Sequence, residues 1–152
     1  MTVRLSTGFR NALCASAPIV PLMYGGTILV FDGTMPTSPD NPPAANLLAQ
    51  ITTDGLTFTP NNVPTPSGLV VAWVSPGLVM MNGNWVLKST GLTGTATWFR
   101  WCWRNTDTQL ESQYYPRLDG DVGEVLRMTN TYITSTRVSK IEGFILSLPL
   151  GN

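Results

Sequence analysis

The chain has 152 residues, 43% of them apolar and 12% charged, with nine Lys and Arg balancing nine Asp and Glu. That is the length of one ordinary domain with enough apolar material for a real core, and a neutral balance supplies no field to draw phosphate or anionic lipid to the surface. So few charges oppose association only weakly, which points to a surface covered by partners; the absence of histidine removes the Ser-His-Asp triad, the Cys-His pair and imidazole zinc ligands.

Taken in chain order, the first element is a short helix. Ser6 or Thr7 is placed to cap it through TGFRNALCAS, with Phe9, Leu13 and Cys14 toward one face, and Pro18 ends it. Arg4 and Arg10 flank only short apolar pieces, which is not the layout of a signal peptide. No apolar run approaches the ~20 residues needed to cross a bilayer, so the chain is expected to be made and used in the cytosol or in what assembles there. Residues 1–24 read as an N-terminal arm outside the strand ladder, and 25–152 as the main domain.

Strand signals then dominate: 27–33, 47–53, 56–59, 69–74, 78–88, 95–104, a weaker 125–128, 131–138 and 141–148, each bounded by Gly, Pro, Asn, Asp or Ser. No helical pattern separates any pair, so the pattern argues an all-β antiparallel sandwich or barrel, and the expected fold is a sandwich with a short N-terminal helix or arm. Two segments read as surface loops: DGTMPTSPDNPPAAN (32–46), with four prolines, and TPNNVPTPSG (59–68).

The stretch GTATWFRWCWRN, Gly94 to Asn105, packs three tryptophans, Phe99, two arginines and Cys102 into a dozen positions. Side chains alternate across a strand, so Phe99, Trp101 and Trp103 share one side and Trp98, Arg100, Cys102 and Arg104 the other. A nucleic-acid platform needs exposed aromatics beside a basic groove, and Asp107 and Glu111 lie just downstream. A central strand with Phe99 and Trp101 in the core is the stronger reading, which leaves Trp98 and Arg100 as candidates to face a protein partner, since Trp and Arg concentrate interface energy.

Cys14 and Cys102 lack metal-ligand spacing; the sequence leaves a bridge between them open, and two free, packed thiols in a reducing compartment are the stronger reading. DGDVGE, Asp119 to Glu124, imitates the start of a calcium loop but lacks the remaining oxygen ligands, and reads as a polar turn. MYGGTI (23–28) lacks the spacing of a phosphate loop and precedes a strand. No catalytic, cofactor or metal residues are assigned, and no enzyme activity, nucleic acid, membrane or small-molecule substrate is expected.

The runs LSTGFRNALCAS, GGTILVFDGTMPTSPDNPP, LLAQITTDG, LTF, NWVLKSTGLTGTATWFRW and RLDGDVG, in that order, resemble a family of small virion proteins of tailed bacteriophages. The resemblance implies a structural part of the particle assembled in the host cytoplasm: a β-sandwich or jelly-roll cement protein that decorates the capsid, with the major capsid protein or other virion proteins as partners and a homo-oligomeric state. The alternative is a tail or baseplate component with a receptor- or carbohydrate-binding module, since Trp-rich strands and Tyr114-Tyr115 also stack on sugars. For a decoration protein, the apolar residues of the arm, Phe9, Leu13, Ile19 and Val20, join Trp98 and Arg100 as the candidate partner interface.

Overall fold

The computed structural model describes residues 2–15, 17–60, 67–137 and 139–148. Its strands are β1 (Val3–Leu5), β2 (Thr27–Phe31), β3 (Leu47–Thr52), β4 (Val70–Ser75), β5 (Leu78–Asn82), β6 (Val86–Ser89), β7 (Gly94–Thr95), β8 (Trp98–Cys102), β9 (Arg117–Asp121), β10 (Leu126–Met128), β11 (Tyr132–Ile133) and β12 (Ile141–Ser147). Two short helices, α1 (Thr7–Cys14) and α2 (Ile19–Met23), precede β2. The large sheet runs β1-β9-β8-β2-β3-β6, the small one β10-β12-β5-β4, and β11-β7 form a separate pair. Every strand pair is antiparallel, so the fold is all-β as the alternation of the sequence predicts.

The two larger sheets share one core. Register carries Leu118, Trp101, Ile28 and Ile51 across the inner face of the large sheet as one row, with Phe99, Val30 and Ala49 in the next. Phe99 meets Phe144 of the small sheet edge-on at 5.8 Å between ring centroids, in the arrangement that suits the quadrupoles of two aromatic rings. Room for Phe99 comes from its cross-strand neighbour Gly120, where a Cβ would stand 2.7 Å from the ring. The expected core positions Phe99 and Trp101 are therefore where the alternation puts them, both fully buried.

The differences from the expected strands have local causes. Residues 78–88 split into β5 and β6, which belong to different sheets. Gly83 sits at φ 80, a conformation open to glycine and costly for other residues, and the corner there lets Trp85 drop between the sheets against Phe144. Residues 56–59 form no strand: the Asp54 carboxylate accepts from the Leu56 N–H, and Gln50 Oε1 accepts from the Phe58 N–H, so side chains replace a ladder. Of 131–138 only Tyr132 and Ile133 pair, because Thr134 Oγ1 takes the Arg137 N–H into a turn; Val138 lies outside the described residues.

Two elements correct the sequence reading more deeply. The arm is part of the ladder, since Val3, Arg4 and Leu5 pair with Gly120, Asp119 and Leu118. β9 itself, RLDGD, runs through half of the segment expected to be a polar turn; the turn begins only after Asp121.

Candidate functional site

Arg100 and Asp119 are opposite one another on β8 and β9, on the outer face of the large sheet. Both are fully buried, and the pair is bidentate: Arg100 Nε and Nη2 donate to Asp119 Oδ1 and Oδ2 at 2.7 and 2.8 Å. Burial pushes the Asp119 carboxyl above its ordinary range, against the opposing hydrogen bonds and charge of Arg100 and the charges of Arg117 and Arg4. Arg100 also lies over the Trp98 ring, which stacks on Phe31 at 4.4 Å and donates its Nε1–H to the Asp32 carbonyl.

One row away, Arg117 forks onto Asp107 at 2.6 and 2.7 Å, and its remaining donors reach the carbonyls of Pro39 and Leu110. Burial works to lower the Arg117 pKa, but the hydrogen bonds and charge of Asp107 prevail and raise it. Arg4 donates to the carbonyls of Met35 and Pro36. The Thr7 N–H and hydroxyl both bond the Asp40 carboxylate, and Asp32 closes the same loop by accepting from Asn46.

These contacts explain the proline-rich loop. A segment with few ladder donors is fixed instead by arginines of the strands beneath it, which bind its carbonyls. Together with residues 103–116 it roofs the outer face of the large sheet. Gln109 completes the roof at φ 61, a left-handed conformation uncommon for a residue with a Cβ. Its N–H bonds Asp107, and its amide sits between Arg100 and Cys102 Sγ.

Trp98 and Arg100 are thus buried by their own chain, which removes them as partner contacts. Phe9 is fully buried against Trp101, and Leu13, Ile19 and Val20 pack against the core, half-buried. The N-terminal lead packs on its own sandwich, with Phe9 sealed and Leu13, Ile19 and Val20 left partly exposed. Ser6, the cap anticipated from sequence, does more than cap: its Oγ accepts from the Phe9 and Arg117 N–H groups and donates to the Tyr115 carbonyl, joining helix, β9 and the roof.

The chemical readings of other motifs also change. Cys102 is buried and Cys14 exposed, so both thiols are free but only one is packed. Burial, reinforced by the Asp107 charge, pushes the Cys102 pKa up to about 12, which keeps it a thiol rather than the nucleophilic thiolate. It borders a cleft of about 120 Å³ with Thr27, Gln50 and Gln109. In DGDVGE, Asp119 holds Arg100 and Asp121 accepts from the Thr2 N–H, so these two carboxylates serve their own chain. Among the described residues, no three His, Cys, Asp or Glu converge to hold a metal, and no helix is long and apolar enough to cross a membrane.

The outer face of the small sheet has a different character. Val71, Val79, Phe144 and Leu146 are buried inward, so alternation turns Val70, Ala72, Met80 and Ile145 outward. Register sets Ala72, Met80 and Ile145 side by side as one apolar row, each only half-buried. Residues 55–87, which include β4, β5 and β6 up to Leu87, contain no Asp, Glu, Lys or Arg. Trp73 and Val74 add exposed apolar surface at the end of β4, with Trp73 64% exposed.

Sequence reasoning missed this face because it sought sites in concentrated chemistry, whereas the signal here is a long interval with no charge. Comparison of the chain with models of known families, with curated proteins and with solved structures found no match in any of the three.

Proposed function

We propose that the protein is a structural virion protein of a tailed bacteriophage, a capsid decoration protein that binds the major capsid protein lattice without catalysing a reaction. A jelly-roll-like topology belongs to the same reading. The sequence resemblance motivates it, and the observation that carries it is the apolar row on the outer face of the small sheet, a face that carries Arg127 at its β10 edge. An antiparallel sheet with one free face ordinarily turns polar side chains to water; Ala72, Met80 and Ile145 instead form a flat apolar row. This half-buried row, extended by the exposed Trp73 and Val74, is apolar surface of the kind that marks interaction sites.

The tail or baseplate reading keeps one supporting observation, Tyr114, 90% exposed, since the Trp98 and Trp101 rings are buried and closed to a sugar. Quantitative mass spectrometry of purified virions, referenced to the major capsid protein, separates the two. Hundreds of copies per particle support decoration, a few to a few dozen support the tail, and absence from the particle overturns both. A second arm adds recombinant protein to shells lacking it: saturable binding that Met80→Lys abolishes is expected for decoration through this face.

A further inference from the structure

The row of side chains that crosses the outer face of the large sheet is sealed at one end only. Register sets Asp119, Arg100, Leu29, Gln50 and Lys88 side by side on β9, β8, β2, β3 and β6. Asp119 and Arg100 are fully buried beneath the roof, Leu29 and Gln50 are half-buried, and Lys88 is exposed. Past β8, the roof gives way to a cleft.

This is the cleft of about 120 Å³ beside Cys102. Leu29 and Gln50 line it from the sheet, Phe58 and Trp103 give it apolar walls, and Asn105 and Gln109 reach it from the roof. A second cleft, of about 330 Å³, shares Gln50 with the first and runs to Thr57, Lys88 and Thr90. A cavity of roughly 150 Å³ holds one benzene ring, so the first suits about one six-membered ring and the second about two. Part of the polar lining is unspent. Gln50 Oε1 accepts from the Phe58 N–H, which leaves the Gln50 amide nitrogen without a partner among the described residues, and the Asn105 side chain has none there either. Gln109 uses its oxygen on Arg100 and one amide hydrogen on Cys102, and keeps the other. Asp107 also borders the first cleft, but both its oxygens are held by Arg117. Among the described residues that line the two clefts, Lys88 is the only cation, and it donates to Thr57 Oγ1.

That lining narrows the ligand. Nucleic acid needs several cations to replace the counterions of its phosphates, and one lysine does not supply them. An extended peptide gains its affinity by adding a strand to a sheet edge, whereas the floor here is a sheet face. A wholly apolar molecule would leave the free amides of Gln50 and Asn105 unpaired. Carboxamides and hydroxyls both donate and accept, as the hydroxyls of a sugar do, and Leu29, Phe58 and Trp103 match the C–H face of a pyranose. We propose that this cleft binds the terminal hexose of an oligosaccharide, with Gln50, Asn105 and Gln109 on its hydroxyls and the next sugars extending toward Lys88. Of the tryptophans in the stretch from Gly94 to Asn105, Trp98 and Trp101 are buried and Trp103 is left half-exposed, so the aromatic wall is the one that the sealed strand leaves over. The proposal stands apart from the decoration reading, because a sugar site suits a capsid protein or a tail protein, and the number of copies per virion neither supports nor removes it.

The test titrates the full chain with glucose, galactose, mannose, rhamnose and N-acetylglucosamine, each alone and up to high millimolar concentration, and follows the amide NMR spectrum. At least one sugar should shift the side-chain amide signals of Gln50, Asn105 and Gln109 saturably, with a Kd in the millimolar range expected of a single ring on a few hydrogen bonds. Asn105→Ala removes no hydrogen bond made within the described chain, so its circular dichroism spectrum and urea midpoint should match the parent's. Its affinity for that sugar should fall by at least about tenfold, the worth of hydrogen bonds to one amide. Tyr114→Ala, which alters the exposed ring on the roof, should bind as the parent does. Three outcomes overturn the cleft: no saturable shift with any of the five sugars, shifts scattered over the surface, or an Asn105→Ala chain of unchanged affinity. Binding lost in Tyr114→Ala and kept in Asn105→Ala also overturns it, and moves the sugar to the roof. In each case the decoration reading survives, since it is decided by copy number and by binding to shells.

Discussion

The outer face of the large sheet and the outer face of the small sheet occupy equivalent places in the architecture and are treated in opposite ways. On the large sheet, Trp98, Arg100, Arg117 and Asp119 are buried under two loops of their own chain, with each charge matched. On the small sheet, Ala72, Met80 and Ile145 form a half-buried apolar row, with Arg127 exposed on the same face at the β10 edge. The contrast teaches that richness in Trp and Arg does not locate a binding surface. Such residues concentrate energy wherever they are desolvated, and here the chain's own proline-rich loop desolvates them.

If the large-sheet face is an internal seal, breaking it must cost folding free energy. Asp119→Ala leaves the Arg100 guanidinium buried and uncompensated, so a loss of about 3–5 kcal/mol is expected, read by urea denaturation at neutral pH. Exchanging both partners for apolar residues, Arg100→Met with Asp119→Leu, should recover most of that loss, since a buried pair roughly breaks even against a packed apolar substitute. A cost below about 1 kcal/mol for Asp119→Ala would mean that the face opens to water.

Trp101→Ala tests the inner side of the same strand. Its ring lies between Phe9 and the rest of the core, and truncation should cost about 3–5 kcal/mol. Unchanged thermal stability would overturn the assignment of the two sides of β8. Ser6→Ala is expected to cost less, about 1–2 kcal/mol, through loss of the cap and the orphaning of the Arg117 N–H and Tyr115 carbonyl. Its urea midpoint should therefore fall between those of Trp101→Ala and the parent chain.

Much of the fold was legible because the chain's own periodicity carries it. The alternation in WFRWC placed Phe99 and Trp101 inward, and Ser6 followed by the α1 pattern marked a capped helix. β9 was not legible. Asp119, Gly120 and Asp121 have turn composition, and they form a central strand only because Arg100 neutralises Asp119 and Gly120 makes room for the Phe99 ring; both causes lie on another strand, about twenty residues away. β1 was hidden for a similar reason, being three residues long and paired only with the unseen β9. The candidate interface failed where exposure had to be guessed: Phe9, Trp98 and Arg100 are covered by segments that no local pattern connects to them.

The thiols sharpen the comparison without perturbing either face. Cys14 at the end of α1 should label with a maleimide at once in the folded protein, while Cys102, beneath the roof and with its pKa pushed up to about 12, should label only on unfolding. Two labels per chain are expected in denaturant without reductant, one for each cysteine in the sequence. Rapid labelling of Cys102 in the folded state would show that the roof of residues 103–116 opens readily, and the large-sheet face would no longer count as sealed.

The smallest expected effect on stability falls on the other face, and there its smallness is the point. Met80 lies between Ala72 and Ile145 with its side chain directed away from the core. In Met80→Lys the ammonium can reach water while its methylenes cover the neighbours, so the change in unfolding free energy should stay within about 0.5 kcal/mol. Association should respond instead, because an interface that forms over this row must desolvate the new charge. The two readouts together separate the alternatives. Unaltered stability with lost binding to shells places the partner on this face; a loss of several kcal/mol would mean that Met80 belongs to the core and that the small sheet, like the large one, is sealed by its own chain.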